Sequence, residues 1–204
     1  MLILGLTGGI ACGKSTVSRL LRDAGAVIVD GDVLSRELTA PGGPALPAIR
    51  GLLGEAAFNE DGSLNRRAVG VMIFGDDERR AAYDGIMQPL LLALILRRME
   101  EARESGAACC VLDMPLLYEV GLDRLCDRIW CVFAPVETQI RRLRERDGFS
   151  REEALSRIHS QLPTGEKAAR ADVVIDTDRP QEETARAVRE AWARELDRMG
   201  GDGV

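Results

Sequence analysis

The chain has 204 residues, is 46% hydrophobic and 29% charged, and carries a formal net charge of −6 from 27 basic and 33 acidic side chains. That length suffices for one α/β domain with a sizeable core and an inserted subdomain, and the apolar share excludes disorder as the dominant state. The acidic balance speaks against a nucleic-acid partner, whose binding rests on cations that displace condensed counterions, so phosphate recognition must be local.

The opening residues are almost wholly apolar, and Leu2–Thr7 reads as a strand buried on both faces. They lack the basic segment and long apolar stretch of a secretory signal, which implies a cytoplasmic protein. Directly behind them stands Gly8-Gly9-Ile10-Ala11-Cys12-Gly13-Lys14-Ser15, the pattern G-x-x-x-x-G-K-[ST] of a phosphate loop. Each fixed position has a physical reason. Glycines at 8, 9 and 13 let the backbone turn so that successive N–H groups face an anion. A helix from Lys14 to about Asp23, with Val17, Leu20 and Leu21 on one face, adds the positive end of its dipole. Lys14 can reach the β- and γ-phosphates, and the Ser15 hydroxyl suits Mg²⁺. Cys12 contributes only its backbone.

A second strand, Val27–Asp30, leads into Asp30-Gly31-Asp32. The next interval, 31–107, is too long for a simple crossover and contains breakers at Pro41-Gly42-Gly43-Pro44 and a turn signal at Asp61-Gly62. Asn65 and Asp76 are good N-caps for helices within it. The apolar run Leu90–Leu96 reads as core and is far too short to span a bilayer. We expect a helical insertion rather than a separate domain, because the sheet pattern resumes at Ala108–Asp113 and Arg128–Phe133. A second interruption, 137–167, is rich in arginine and glutamate and is expected to contain a lid. A strand at Asp172–Ile175 follows. A last helix runs from Gln181 to Met199, with Ala185, Val188, Trp192, Leu196 and Met199 at helical spacing, and the tail Gly200–Val204 is expected to fray. Short apolar strands alternating with amphipathic stretches predict a three-layer α/β/α fold on a five-stranded parallel sheet, its core drawn from residues 1–30, 108–136 and 168–200.

Five cysteines, an odd count without a Cys-x-x-Cys pair, argue against a disulfide framework and a zinc site, and with His159 as the single histidine a His-based metal cluster is excluded. These read as buried thiols, and His159 as a surface or core residue rather than a base.

Catalytic groups of a parallel sheet gather at the carboxyl ends of its strands. Asp30 or Asp32 could orient an acceptor hydroxyl and take its proton, while the other caps the following helix. Asp113, at the end of the third strand, could hold Mg²⁺ through water, or hold Ser15. Arg141, Arg142, Arg144, Arg146 and Arg151 lie within eleven residues. Most belong on a solvated helix face, but Arg142 and Arg146, four apart, share a side from which one or both could act on a transferring phosphoryl group. The only asparagines, Asn59 and Asn65, are not followed by lysine, so the Asn-Lys-x-Asp motif of a GTPase is absent. Chain size, insertion and arginine cluster favour a small-molecule kinase. Another nucleotide kinase with the same core, or a nucleotide-dependent switch, is the alternative.

Taken together, several ordered motifs resemble the dephospho-CoA kinase family. They are Leu6-Thr7 with the loop through Thr16, Val29-Asp30-Gly31-Asp32, Pro41-Gly42 and Asp61 through Arg66. Ile73-Phe74, Asp113 through Glu119, Gln139 through Leu143 with Arg146, Ser160 through Pro163 and Ala171 through Asp176 continue the match. The family often has glycine and serine where this chain has Ala11 and Cys12, and His-Pro where it has Gln88-Pro89. The resemblance implies ATP-dependent phosphorylation of the ribose 3′-hydroxyl of dephospho-CoA, with Mg²⁺ held through Ser15. It implies Asp32 as the catalytic base, Thr7, Lys14 and Arg142 at the reacting groups, and Asp30 and Asp113 on the substrate side. It further implies an acceptor-binding insertion at 31–107, ATP and dephospho-CoA as the partners, no membrane partner, and a monomer or weak homo-oligomer.

Overall fold

The computed structural model describes residues 1–201, so Asp202–Val204 of the expected frayed tail lie outside the described residues. The chain divides into two compact units, Met1–Val29 joined with the chain from Ala102 onward, and Asp30–Glu101. In order the elements are β1 (Leu2–Gly8), α1 (Lys14–Asp23), β2 (Val27–Asp30), α2 (Gly31–Leu38), α3 (Leu46–Leu53), α4 (Arg66–Ile73), α5 (Asp77–Glu104) and β3 (Cys109–Asp113). Then come β4 (Arg128–Phe133), α6 (Val136–Asp147), α7 (Arg151–His159), α8 (Thr164–Arg170), β5 (Val173–Asp176) and α9 (Gln181–Gly201), the last reaching into the expected tail. No helix among the described residues is long and apolar enough to cross a membrane.

The sheet is five-stranded in the order β2-β3-β1-β4-β5. β1 lies in the middle, parallel to β3 on one side and β4 on the other, and β4 pairs in parallel with β5. Register then decides which side chains share a face. Leu4 stands beside Val111, Leu6 beside Trp130, and Val132 beside Ile175. These residues form one buried cluster with Val17 and Leu21 of α1 and with Val188, Ala191 and Trp192 of α9. The alternate positions, Ile3, Gly5, Thr7 and Cys131 among them, look the other way. There α8 packs on β4 and β1, and Leu117 and Cys126 crowd against Gly5. Helices on one face, and α8 with the 114–126 segment on the other, make the three layers.

Two strands begin one residue later than expected. Asp172 lies outside β5 because its carboxylate accepts from Ile129 N at 2.7 Å and pairs with Arg128, which turns the chain into the strand. All five thiols are free, and four are buried while Cys126 is partly so. Burial pushes Cys109, Cys126 and Cys131 up to about 12 and Cys110 up to about 11. The thiolate is the reactive form, so these cysteines act as small core residues at neutral pH.

In the second unit, the Asn65 side chain accepts from Ala68 N at 3.0 Å and starts α4, and Asp76 accepts from Arg79 N at 2.9 Å before α5. Glu37 receives Arg97 and Arg98 from α5. The run Leu90–Leu96 is only half core. Leu94 and Ile95 are buried, whereas Leu92 and Leu96 are 39% and 46% exposed. Seven consecutive residues cover almost two helical turns, so a helix with one packed side cannot bury them all.

Leu4 is fully enclosed in the central strand. Leu4→Ala should therefore lower the unfolding free energy by about 2–5 kcal/mol, the usual range for a leucine cavity. Urea titration would display this as a lower midpoint at unchanged slope.

Candidate active site

A loop that turns its amides toward an anion must turn its carbonyls outward, and those carbonyls need donors. The structure supplies both. The Ala11 carbonyl accepts from Arg142 Nη1 at 3.1 Å, and the Cys12 carbonyl from the Thr177 hydroxyl at 2.7 Å. Arg142 also reaches Thr177 itself, through Nη1 to Oγ1 at 3.0 Å and Nη2 to the carbonyl at 2.7 Å. Thr177 N in turn donates to Phe133 O at 2.9 Å, which seats the residue at the mouth of β4 and β5. The reverse of the loop is thus held by a helix and a strand end far away in sequence.

The glycines have separate reasons. Gly13 has φ 83°, in the left-handed region, and leads straight into α1. Gly8 and Gly9 are required by close approach instead. A Cβ on Gly8 would fall 2.6 Å from the Val132 carbonyl, and one on Gly9 would fall 2.1 Å from Thr164 Oγ1. The other left-handed residue of the loop is Ala11, φ 59°. A Cβ there costs about 1–2 kcal/mol, and the Arg142 contact to its carbonyl helps hold it.

Lys14 and Asp113 form an ion pair whose side chains are 16% and 3% exposed. Asp113 follows from the register that places Leu6 beside it and from the Met114 amide, which donates to Leu6 O at 3.0 Å. Thr7 is fully buried, and its hydroxyl donates to the Pro115 carbonyl at 3.1 Å. Ser15 is exposed on the first turn of α1. Its hydroxyl and the Asp113 carboxylate are hard oxygen donors of the kind Mg²⁺ prefers. Among the described residues no group of three His, Cys, Asp or Glu could hold a metal, so water or phosphate oxygens would complete the shell of such an ion.

Cys12 does more than lend its backbone. Its side chain is 1% exposed within the core cluster of α1 and α9, and burial raises the thiol against the opposing effect of hydrogen bonds from the Thr164 side chain and from the Ala134 and Gly9 backbone. Gln139, also buried, donates to Ala134 O at 2.9 Å and to Thr164 Oγ1 at 3.3 Å beside Gly9. Ile10 and Ala11 pack on Ile140, Leu143, Ala154 and Ile158 of α6 and α7. Segment 137–167 therefore touches the loop through apolar as well as polar groups.

The structure does not bring Arg146 to the loop. Its guanidinium grips the Asp147 carboxylate at 2.9 and 2.7 Å, and the side chain is 66% exposed. Arg151 similarly pairs with Glu137, and His159 is exposed. In the second unit Asp30 is the helix cap. Its carboxylate accepts from Asp32 N at 2.9 Å and Val33 N at 3.1 Å, and the exposed Asp32 side chain takes no part in that cap. Thr177 was not among the expected site residues. The signal for it was present, because a hydroxyl directly after the fifth strand obeys the strand-end rule that singled out Asp30 and Asp113.

The sequence profile of the dephospho-CoA kinase family matches residues 2–183. The chain belongs to the dephospho-CoA kinase family. It is 44% identical to a dephospho-CoA kinase from Symbiobacterium thermophilum over 99% of this chain and 84% of that one. It is also 44% identical to one from Geobacter sulfurreducens over 95% and 98%. Among solved structures, TT1252 from Thermus thermophilus superposes with TM-score 0.80 at 35% identity, covering 95% of this chain and 97% of the other. A dephospho-CoA kinase from Campylobacter jejuni shares the fold at TM-score 0.62 and 21% identity, over 94% and 96%.

Ala11→Gly should stabilise this dephospho-CoA kinase family member by about 0.5–1 kcal/mol, the left-handed penalty less the extra freedom of glycine in the unfolded chain. Thermal unfolding would report it as a higher midpoint. Thr177→Val, which keeps shape but removes the donor to Cys12 and the acceptor for Arg142, should weaken ATP binding about tenfold, the equivalent of roughly 1.4 kcal/mol. Titration calorimetry with ATP reads this directly.

Proposed function

We propose that this chain transfers the γ-phosphoryl group of ATP to the ribose 3′-hydroxyl of dephospho-CoA, giving ADP and coenzyme A. The observation that carries the reading is a complete phosphate loop, braced by Arg142 and Thr177, in a chain that matches this family over residues 2–183. The bond from the γ-phosphorus to its bridging oxygen breaks, a bond to the 3′-oxygen forms, and the hydroxyl proton leaves to a carboxylate.

Roles follow from the chemistry of each group. The backbone of Gly8, Gly9, Ile10, Ala11, Cys12 and Gly13, with Ser15 and Thr16 at the start of α1, would line the triphosphate. Lys14 would exchange Asp113 for β- and γ-phosphate oxygens, leaving Asp113 and the Ser15 hydroxyl for Mg²⁺ or the substrate. When bound, Mg²⁺ neutralises charge that builds on the transferring group. Arg142 and the Thr7 hydroxyl would serve the reacting phosphate only by trading their present carbonyl partners for its oxygens. Arg146 would join only by trading Asp147 for a phosphate oxygen. Asp32 is the base: the Asp30 cap fixes its turn of helix and leaves its carboxylate to orient the 3′-hydroxyl. We place the reaction in the cytoplasm, with a monomer or weak homo-oligomer as the working unit.

Purified protein given Mg²⁺, ATP and a panel of acceptors should release ADP with dephospho-CoA and not with nucleoside monophosphates. The reverse preference would overturn the assignment. Asp32→Asn should keep ATP affinity within about threefold while kcat falls about 10²–10⁴-fold, the usual contribution of a positioned base. Unchanged turnover would remove Asp32 from the mechanism.

A further inference from the structure

Lys167 stands one turn after Thr164 on α8, and its side chain is 0% exposed. Lysine is among the residues least often enclosed unless its charge is paired. Here the ammonium has two partners, the Glu119 carboxylate at 2.7 Å and the Pro115 carbonyl at 2.6 Å. Each partner is shared. The Pro115 carbonyl also accepts from the Thr7 hydroxyl, and Glu119 Oε1 also accepts from Leu162 N at 3.0 Å. One cation therefore ties the end of β1, the run after β3 and the approach to α8. That run opens at Asp113, the partner of Lys14.

Stability alone is a poor reason for such a residue. A buried ion pair is often matched or exceeded by apolar side chains of similar volume, since both charges must be taken out of water. What an apolar replacement cannot supply is the donor to Pro115. Without it the carbonyl keeps only the Thr7 hydroxyl, and residues 113–119 lose their inner anchor.

We propose that Lys167 is a positioning residue for phosphoryl transfer. By holding the Pro115 carbonyl and Glu119 together it fixes residues 113–119, and with them Asp113 against Lys14 and the Thr7 hydroxyl under the loop. The proposal rests on the function assigned above and adds a residue that touches neither nucleotide nor acceptor.

The test compares the full-length wild type with Lys167→Met, Glu119→Gln and the double variant Lys167→Met/Glu119→Leu. Urea unfolding is measured alongside kcat and both KM values, at a temperature where each protein is folded. Lys167→Met should lose about 30-fold or more in kcat with both KM values within about threefold, because displacement of aligned groups by a fraction of an ångström slows chemistry more than binding. The double variant should recover the unfolding midpoint, having no orphaned carboxylate, while kcat stays low. Should Lys167→Met fail to fold, Glu119→Gln keeps an oxygen for Leu162 N and removes the counter-charge, and kcat should drop about three- to tenfold. If kcat recovers with stability in the double variant, or holds at the wild-type value in a folded Glu119→Gln, the lysine is structural and the proposal falls. A wild type inert toward dephospho-CoA overturns the assigned reaction, and the positioning role with it. Wild-type turnover beside unaffected variants overturns the positioning role alone.

Discussion

Peptide groups have two ends, and that fact governs this molecule. Amides can converge on a phosphate only if the carbonyls between them point away, and an outward carbonyl shielded from water needs a donor. Arg142 and Thr177 meet that need for Ala11 and Cys12. They come from α6 and from the end of β5, so the loop takes its working shape only when those two elements are in place beside it. Contacts in its own eight-residue motif would not suffice, because Ala11 sits in the left-handed region against its Cβ.

The same closure decides where positive charge is placed in a chain with net charge −6. Lys14 is set on Asp113, Arg142 on two carbonyls and a hydroxyl, and Lys167 on Glu119. Each cation is oriented by a fixed acceptor before any ligand arrives. Such fixed acceptors limit how far Lys14 and Arg142 must travel to meet a phosphate, and short travel favours electrostatic stabilisation of phosphoryl transfer. Arg146 and Arg151, by contrast, pair with Asp147 and Glu137 on the surface, where such pairs contribute little.

Local signals were legible in the sequence to within a residue. β2, β4 and α1 have the expected bounds, because they are flanked by Asp, Gly or Pro breakers that act within the same few residues. The caps at Asn65 and Asp76 and the phosphate loop are of the same kind. The pair Asp30 and Asp32 was ambiguous from sequence, since either carboxylate can cap, and only backbone geometry assigns the cap to Asp30. What sequence did not display was long-range pairing. Lys167 lies among arginines and glutamates in an outwardly polar stretch, and nothing local says that its turn of α8 faces the sheet. Thr177 was hidden for the same reason, as its partners lie 165 and 35 positions away. The apolar run at 90–96 misled in the opposite direction, because composition carries no information about which side of a helix is covered.

Ile10 bears on how segment 137–167 can move. Its side chain joins the small apolar cluster of α6 and α7, with Ile140, Leu143, Ala154 and Ile158. Lifting those helices clear of the loop would wet that cluster, a loss on the order of 1–2 kcal/mol even for a partly covered isoleucine. A tilt that keeps Ile10 covered avoids the loss. Motion here is therefore biased toward pivoting about a greasy ball joint rather than detaching, and the residue that serves as the ball is part of the nucleotide loop itself. Any displacement of segment 137–167 therefore bears directly on the loop, whose Ile10 and Ala11 are packed against it.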